Sequence, residues 1–266
     1  MTDVVIASFN VHAGVDGWGR PHDVLAACRS LDADVLVLQE VWTPEGADSV
    51  VAAVAAELGY SVRTEVIGRG RLLGPRPGAD DRWGPGPGLG RLRTFRLQRR
   101  PDTADPDRRI GSLPYERGSW GVAVLSRLPV LGSSTLDLGK LPLDRARRVA
   151  LVVQVETGSG PLTVVGTHMS HLTDGSPLQF LRLRRALPSA TGPAVLVGDM
   201  NIWGPPLSHF LPGWRRAVRG RTWPAWRPLA QPDHILVTPA VGVVRGEVVR
   251  VGGSDHWPVR ARLTLD

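Results

Sequence analysis

The chain has 266 residues, 42% of them hydrophobic, a formal net charge of +7 and a mean hydropathy of -0.06; it is long enough for one large two-sheet domain, and no apolar run approaches the roughly 18 residues of a membrane span. One cysteine, Cys28, excludes an internal disulfide and a cysteine metal cluster. Met1-Thr2-Asp3 does not open the basic-then-apolar pattern of a secretory signal, so a reducing cytoplasm is the expected compartment.

Val4 to Phe9 reads as a strand, His22 to Leu31 as a helix after Pro21, and Val35 to Leu38 as a second strand, buried on both faces. Glu45 to Leu58 reads as a helix stopped by Gly59, and Ser61 to Ile67 as a strand. Periodicity then fails. Residues 68–111, rich in Gly, Pro and Arg, read as a long mobile insertion within a single domain spanning 1–266. Residues 69–110 hold eleven arginines against five aspartates, a surplus of six that leaves about one for the rest of the chain. Lys140 is the only lysine, so base composition of the gene accounts for this charge as readily as phosphate recognition does.

Strand signals resume at Trp120 to Leu125, Val130 to Leu136, Arg148 to Val155 and Leu162 to Thr167. Ser176 to Leu187 reads as a helix with Pro177 at its first position. Ala194 to Val197 is a short, wholly apolar strand. Gly198 lets the chain leave it, and Asp199 and Asn201 then stand at its rim. Residues 202–232, rich in Trp, Pro and Arg, read as irregular. Ile235 to Thr238, Val243 to Val251 and Trp257 to Leu265 close the chain as strands. Many strands with a few helices between them imply two packed sheets with helices outside.

Four of these strands end alike. They run out at Asn10, Glu40, His168 and Asp199-x-Asn201, while Asp233 and Ser254-Asp255-His256 stand just before later strands. The start of one strand lies beside the end of an antiparallel neighbour, so all six sites can meet on one rim. Four carboxylates (Glu40, Asp199, Asp233, Asp255), two amides (Asn10, Asn201) and two histidines (His168, His256) without cysteine suit a hard cation, Mg²⁺ or Mn²⁺. That inventory fits attack of water on phosphorus.

The segments SFN at 8–10, LQE at 38–40, GVAVLSR at 121–127, THMSH at 167–171, GDMN at 198–201, PDHIL at 232–236 and SDHWPV at 254–259 resemble the endonuclease/exonuclease/phosphatase superfamily. They occur in family order, and GDMN with SDHWPV is the most specific combination. The superfamily includes deoxyribonucleases, apurinic/apyrimidinic endonucleases, inositol-polyphosphate phosphatases and sphingomyelinases. The resemblance implies a four-layer α/β sandwich: two mixed, mostly antiparallel β-sheets packed face to face with helices outside.

By its motifs, Glu40 is the principal metal ligand, with Asn10 and Asp255 near the metal. Asp199 orients or deprotonates the water, and Asn201 binds phosphate. His256 paired with Asp233 acts on the phosphate or the water, and His168 contacts phosphate. Arg148 stands where some nucleases of the family place a phosphate-binding arginine. His12 occupies a position usually Asp in the apurinic/apyrimidinic enzymes and is a further candidate. Trp203 and Trp257, each within two residues of a site residue, either pack loops or form an aromatic rim. The implied function is a Mg²⁺- or Mn²⁺-dependent phosphodiesterase, with nucleic acid as the leading substrate. The alternatives are an inositol phosphate, a nucleotide or a lipid headgroup, and, remotely, a non-catalytic binding protein on the same scaffold. No protein partner is inferred, and a monomer is expected.

Overall fold

The structure, a computed structural model, describes residues 2–17, 19–73, 95–97, 115–141, 144, 146–171, 176–187 and 192–265. In chain order these form β1 (Thr2–Asn10), α1 (Val24–Leu31), β2 (Val35–Pro44), α2 (Val50–Leu58), β3 (Ser61–Leu73), β4 (Phe95–Leu97), β5 (Tyr115–Ser126), β6 (Val130–Lys140), β7 (Arg147–Thr157) and β8 (Gly160–His168). There follow α3 (Ser176–Ala186), β9 (Ala194–Asp199), α4 (Gly204–Phe210), β10 (Arg215–Arg216), β11 (Asp233–Val237), β12 (Val241–Val248) and β13 (Val259–Leu265). A single 3₁₀ turn, His12–Gly14, follows β1.

Among the described residues the strands make a seven-stranded sheet, ordered β12-β13-β1-β2-β5-β3-β4, and a six-stranded sheet, ordered β10-β11-β9-β8-β7-β6. Each holds one parallel pair, β1 with β2 and β8 with β9, and is otherwise antiparallel.

Successive strand side chains point to opposite faces, and that alternation builds the layers. On the inner faces Val4, Ile6, Val35, Val37, Val195 and Val197 join one core between the sheets. On the outer face of the first sheet Ala7, Phe9, Leu36 and Leu38 pack on Cys28 and Leu31 of α1 and Val51 and Val54 of α2. On the outer face of the second, Val165, Leu196 and Leu236 pack on Phe180 and Leu183 of α3 and Leu207 of α4. The result is the expected four-layer α/β sandwich, and Cys28 is fully buried helix core.

Several boundaries differ from expectation for local reasons. β2 does not stop at Glu40 but runs on to Pro44, and the Glu45 amide donates to the Arg117 carbonyl at 2.9 Å rather than entering a helix. α2 therefore begins at Val50, although Gly59 ends it in the left-handed conformation as expected. β3 runs six residues past Ile67 and pairs with β5 as far as Leu73 opposite Tyr115, while residues 95–97 pair with 70–72. Most of the expected 68–111 insertion lies outside the described residues. The stretch expected to be irregular, 202–232, contains α4 and β10. Its Gly-Pro-Pro start reads as a breaker, yet proline is tolerated in a first helical turn, where its missing N–H costs nothing.

Candidate active site

Strand register brings the expected residues to one rim. His168 lies beside Asp199 in the parallel β8–β9 pair, and Asp233 lies opposite Asp199 in the antiparallel β9–β11 pair. Gly198 makes this junction possible. Its φ is +148°, and a Cβ there would meet the Thr167 carbonyl oxygen at 1.9 Å. Glu40 sits in a β-bulge, where the β2–β5 register slips between Gln39 and Val41. A bulge re-aims one side chain without ending the strand.

Strain collects in the same place. His12 (φ +46°), Glu40 (φ +53°) and Asn201 (φ +50°) are non-glycine residues in the left-handed region. Such backbone costs on the order of 1–3 kcal/mol per residue and persists only where its surroundings enforce it.

The side chains converge on Asp199 Oδ2. The Asn10 amide Nδ2 donates to it at 3.0 Å and to Glu40 Oε1 at 3.2 Å, so one amide ties the first sheet to the second. His168 Nε2 stands 3.7 Å from Asp199 Oδ2, and His256 Nε2 stands 3.8 Å from it. Asp199 Oδ1 accepts the Asn201 backbone N–H at 2.9 Å, which fixes the carboxylate. Behind His256, the Nδ1 atom lies 2.9 Å from Asp233 Oδ2, which also accepts from the Thr222 hydroxyl. Asp255 is held by the indole N–H of Trp223 at 3.3 Å, and His12 Nδ1 lies 3.6 Å from its other oxygen. Asn10, His168, Asp199, Asp233, Asp255 and His256 are all buried.

The electrostatics follow from that burial. Burial, aided by Asp255, pushes the Glu40 carboxyl above its ordinary value. Burial works against charge on His256, but Asp233, Asp255 and Asp199 outweigh it and raise the imidazole well above the usual histidine value. Burial would raise Asp199 as well, yet His256, His168, the Asn201 N–H and the Asn10 amide hold it low. His168 goes the other way: burial, and then the charge of Arg148, lower it to about 3.

The remaining candidates are placed as follows. Asn201 donates its amide Nδ2 to the Met169 carbonyl at 2.8 Å. Arg148 is buried, with Nε donating to Asp144 Oδ2 at 2.8 Å, NH1 to the His168 carbonyl at 3.3 Å, and its guanidinium over the Trp120 ring. Trp120 in turn meets the His168 ring edge-on, with centroids 5.8 Å apart. Trp257 lies under the Arg250 guanidinium, and its backbone N–H donates to the Thr222 carbonyl at 2.9 Å. Trp203 is 53% exposed at the start of α4. Thr222, Trp120 and Asp144 carry no motif of their own and are found only through the fold. Ser254, inside a motif, accounts for itself by donating to the Asn10 carbonyl at 2.7 Å.

The donor set suits a hard cation. Asp199, Asp233 and His256 each bring one ligand-capable atom within 4.8 Å of the others, and Asp233 Oδ1 is buried with no hydrogen-bond partner. A buried carboxylate oxygen without a partner is an environment that a divalent ion would relieve, and Glu40 and Asp255, close enough for Asp255 to raise the Glu40 carboxyl, offer a second pair of hard donors on the same rim.

Residues 7–256 match the model of the Endonuclease/Exonuclease/phosphatase family, and the chain belongs to that family. It includes metal-dependent nucleases and phosphodiesterases, and its members are generally hydrolases of phosphoesters. Three experimentally determined structures illustrate the likeness. An endonuclease/exonuclease/phosphatase from Beutenbergia cavernae is 25% identical with a TM-score of 0.64, covering 100% of this chain and 72% of that one. A family protein from Leptotrichia buccalis is 12% identical with a TM-score of 0.66, covering 98% of this chain and 100% of that one. D. rerio TDP2 complexed with single-strand DNA product is 16% identical with a TM-score of 0.59, covering 99% of this chain and 100% of that one. No curated protein matches.

Proposed function

We propose that the protein is a divalent-metal-dependent phosphodiesterase that hydrolyses nucleic acid. The observation carrying this reading is the convergence of Asn10, His168 and His256 on one oxygen of Asp199. In this reading Glu40, with Asn10 and Asp255, holds Mg²⁺ or Mn²⁺. The protonated state favoured for His256, and its Nδ1 contact with Asp233, argue against His256 as a ligand, because an imidazolium has no free lone pair. When bound, the cation neutralises charge on the phosphate oxygens.

The protein's own groups do the rest. Asp199, kept ionised, accepts a proton from water as the water oxygen bonds to phosphorus and the opposite ester P–O bond breaks. The leaving oxygen takes its proton from solvent. His256, kept charged by Asp233, faces the phosphate oxygens, and Asn201 and neutral His168 offer hydrogen bonds to them. A single-strand DNA product in D. rerio TDP2 is consistent with the substrate class.

The test is a panel with Mg²⁺: plasmid, abasic duplex, single-stranded oligonucleotide, inositol phosphates and sphingomyelin, each with the wild type and with Glu40→Gln. Cleavage of nucleic acid, nearly abolished in Glu40→Gln at an unchanged unfolding temperature, is the expected result. Turnover confined to inositol phosphates or sphingomyelin would move the substrate to the small-molecule class. Undiminished turnover by Glu40→Gln would remove Glu40 from the metal site.

A further inference from the structure

Beside the rim, past Asn201, lies an open groove of about 460 Å³. Trp203, Gly204, Arg216, Arg221, Leu229 and Gln231 are among the residues lining it, and no carboxylate among the described residues does. Trp203 and Leu229 expose more than half of their surface there, 53% and 56%. It joins the site directly: Trp203 is two residues beyond Asn201 and Gln231 two before Asp233, and two residues span at most about 7 Å.

The arginine in its wall is built in place. Arg216 NH2 donates to Gln231 Oε1, which also accepts the Gly220 N–H at 3.0 Å. Gln231 is itself buried, and its Nε2 donates to the carbonyls of Val218 at 3.1 Å and Asp233 at 3.2 Å. The guanidinium lies flat against Gly204, where a Cβ would meet NH1 at 1.9 Å and Cζ at 2.1 Å. Only glycine leaves it that room. Among the described residues Arg216 nonetheless has no counter-charge. Its Nε is buried without a hydrogen-bond partner, and among the described residues neither Arg216 nor Arg221 forms an ion pair. Burial, and then the neighbouring charge of Arg219, hold the Arg216 pKa below the ordinary arginine value. A cation fixed by a neutral amide, next to an exposed aromatic ring, is a seat for an anion attached to a planar group.

We propose that the Arg216–Trp203 groove is a second phosphate subsite, which takes the phosphate neighbouring the scissile one on a nucleic-acid strand and rests the attached base on Trp203. This rests on the phosphodiesterase reading above and specifies its substrate: a strand bearing a second phosphate is preferred to an isolated phosphodiester. Arg216 supplies a forked pair of donors, Arg221 adds charge at the mouth, and Trp203 with Leu229 covers the base.

The experiment compares thymidine dinucleotide (TpT) with its 5′-phosphorylated (pTpT) and 3′-phosphorylated (TpTp) forms, in the presence of Mg²⁺. The wild type should hydrolyse one phosphorylated form with at least a tenfold higher kcat/KM than TpT. Arg216→Gln should collapse that ratio toward one, and Arg216→Lys should keep part of it. In parallel, pTpT and TpTp are titrated calorimetrically into Glu40→Gln and into Glu40→Gln/Arg216→Gln, which reads the subsite without turnover. Loss of at least tenfold in affinity on adding Arg216→Gln is expected. A ratio unchanged by Arg216→Gln, no preference in the wild type, or equal affinities in the two titrated proteins would overturn the subsite. Absence of hydrolysis of all three dinucleotides, with binding still dependent on Arg216, would overturn the phosphodiesterase reading and leave the anion site standing.

Discussion

Arg148 on β7 and Arg216 on β10 both flank the rim of the second sheet, and both guanidiniums are held in place by protein contacts. Arg148 is held by Asp144, a carboxylate, and lies sandwiched against Trp120 with its charge matched. Arg216 is held by Gln231, an amide, and its charge is matched by nothing among the described residues. Both have a fixed geometry, so the difference lies in the counter-charge. Arg148, paired with a buried carboxylate, holds the His168 carbonyl and, through Trp120, meets the His168 ring. An arginine with only an amide partner keeps its charge for a ligand.

The largest test of this contrast is stability. Asp144→Ala strands the buried Arg148 charge and should cost about 3–5 kcal/mol. Urea unfolding of that variant against Gln231→Ala measures it. An equal loss in both variants would break the contrast. The same pair predicts a pH signature. Burial would raise the Asp144 carboxyl, but Arg148, Ser170 and the Ala146 N–H outweigh burial and hold it below the usual value. Its contribution is therefore complete above the unfolded carboxyl pKa of about 3.9 and is lost as pH falls through the lower, folded value. Urea midpoints taken from pH 6 down to pH 2 should show this decline in the wild type and in Arg216→Gln. Asp144→Asn should show it reduced.

A smaller effect should come from Gly204→Ala. The added Cβ displaces the end of a flexible arginine, not backbone, so stability should change by less than about 1 kcal/mol. The preference for a second phosphate should fall about tenfold, equivalent to about 1.4 kcal/mol. An unchanged preference would mean that the seat of Arg216 does not matter. The smallest effect should belong to Arg221→Gln. Arg221 is exposed and screened, so a loss of about two- to fivefold, shrinking at high salt, is expected in the same dinucleotide assay.

Much of the rim could be read from the chain because its strands obey a simple grammar. Apolar runs ending in Asn10, His168 and Asp199 are strands buried on both faces, and polar groups just past such runs must stand at a sheet edge. The fold then needs only register to bring them together. Glu40 was legible as a site candidate, but the bulge that aims it was not, because nothing in LQEVW announces a slip between Gln39 and Val41. The sequence pattern stops short of the true ends of β3 and β6 because exposed and half-exposed residues blur the alternation there. Arg216 could not be singled out among 31 arginines. What distinguishes it is that no carboxylate among the described residues pairs with it, a tertiary property that no local pattern carries. Arg148 stood out by its position relative to a motif, which says where a guanidinium lies and nothing about whether its charge is already matched.

The pairing of β1 with β13 has a consequence in time. The earliest strand of the seven-stranded sheet and the latest lie side by side, with Thr2 opposite Leu265, and Asp255 and His256 come just ahead of that latest strand. During synthesis, which at ribosomal rates lasts on the order of tens of seconds for a chain of this size, β1 must wait for a neighbour that does not yet exist. Asn10, already translated, can meet Glu40 early, but the pocket has no histidine–aspartate dyad until the ribosome has passed residue 256. On the reading proposed above, a copy that terminates before residue 255 lacks Asp255 and His256 together and should show no turnover.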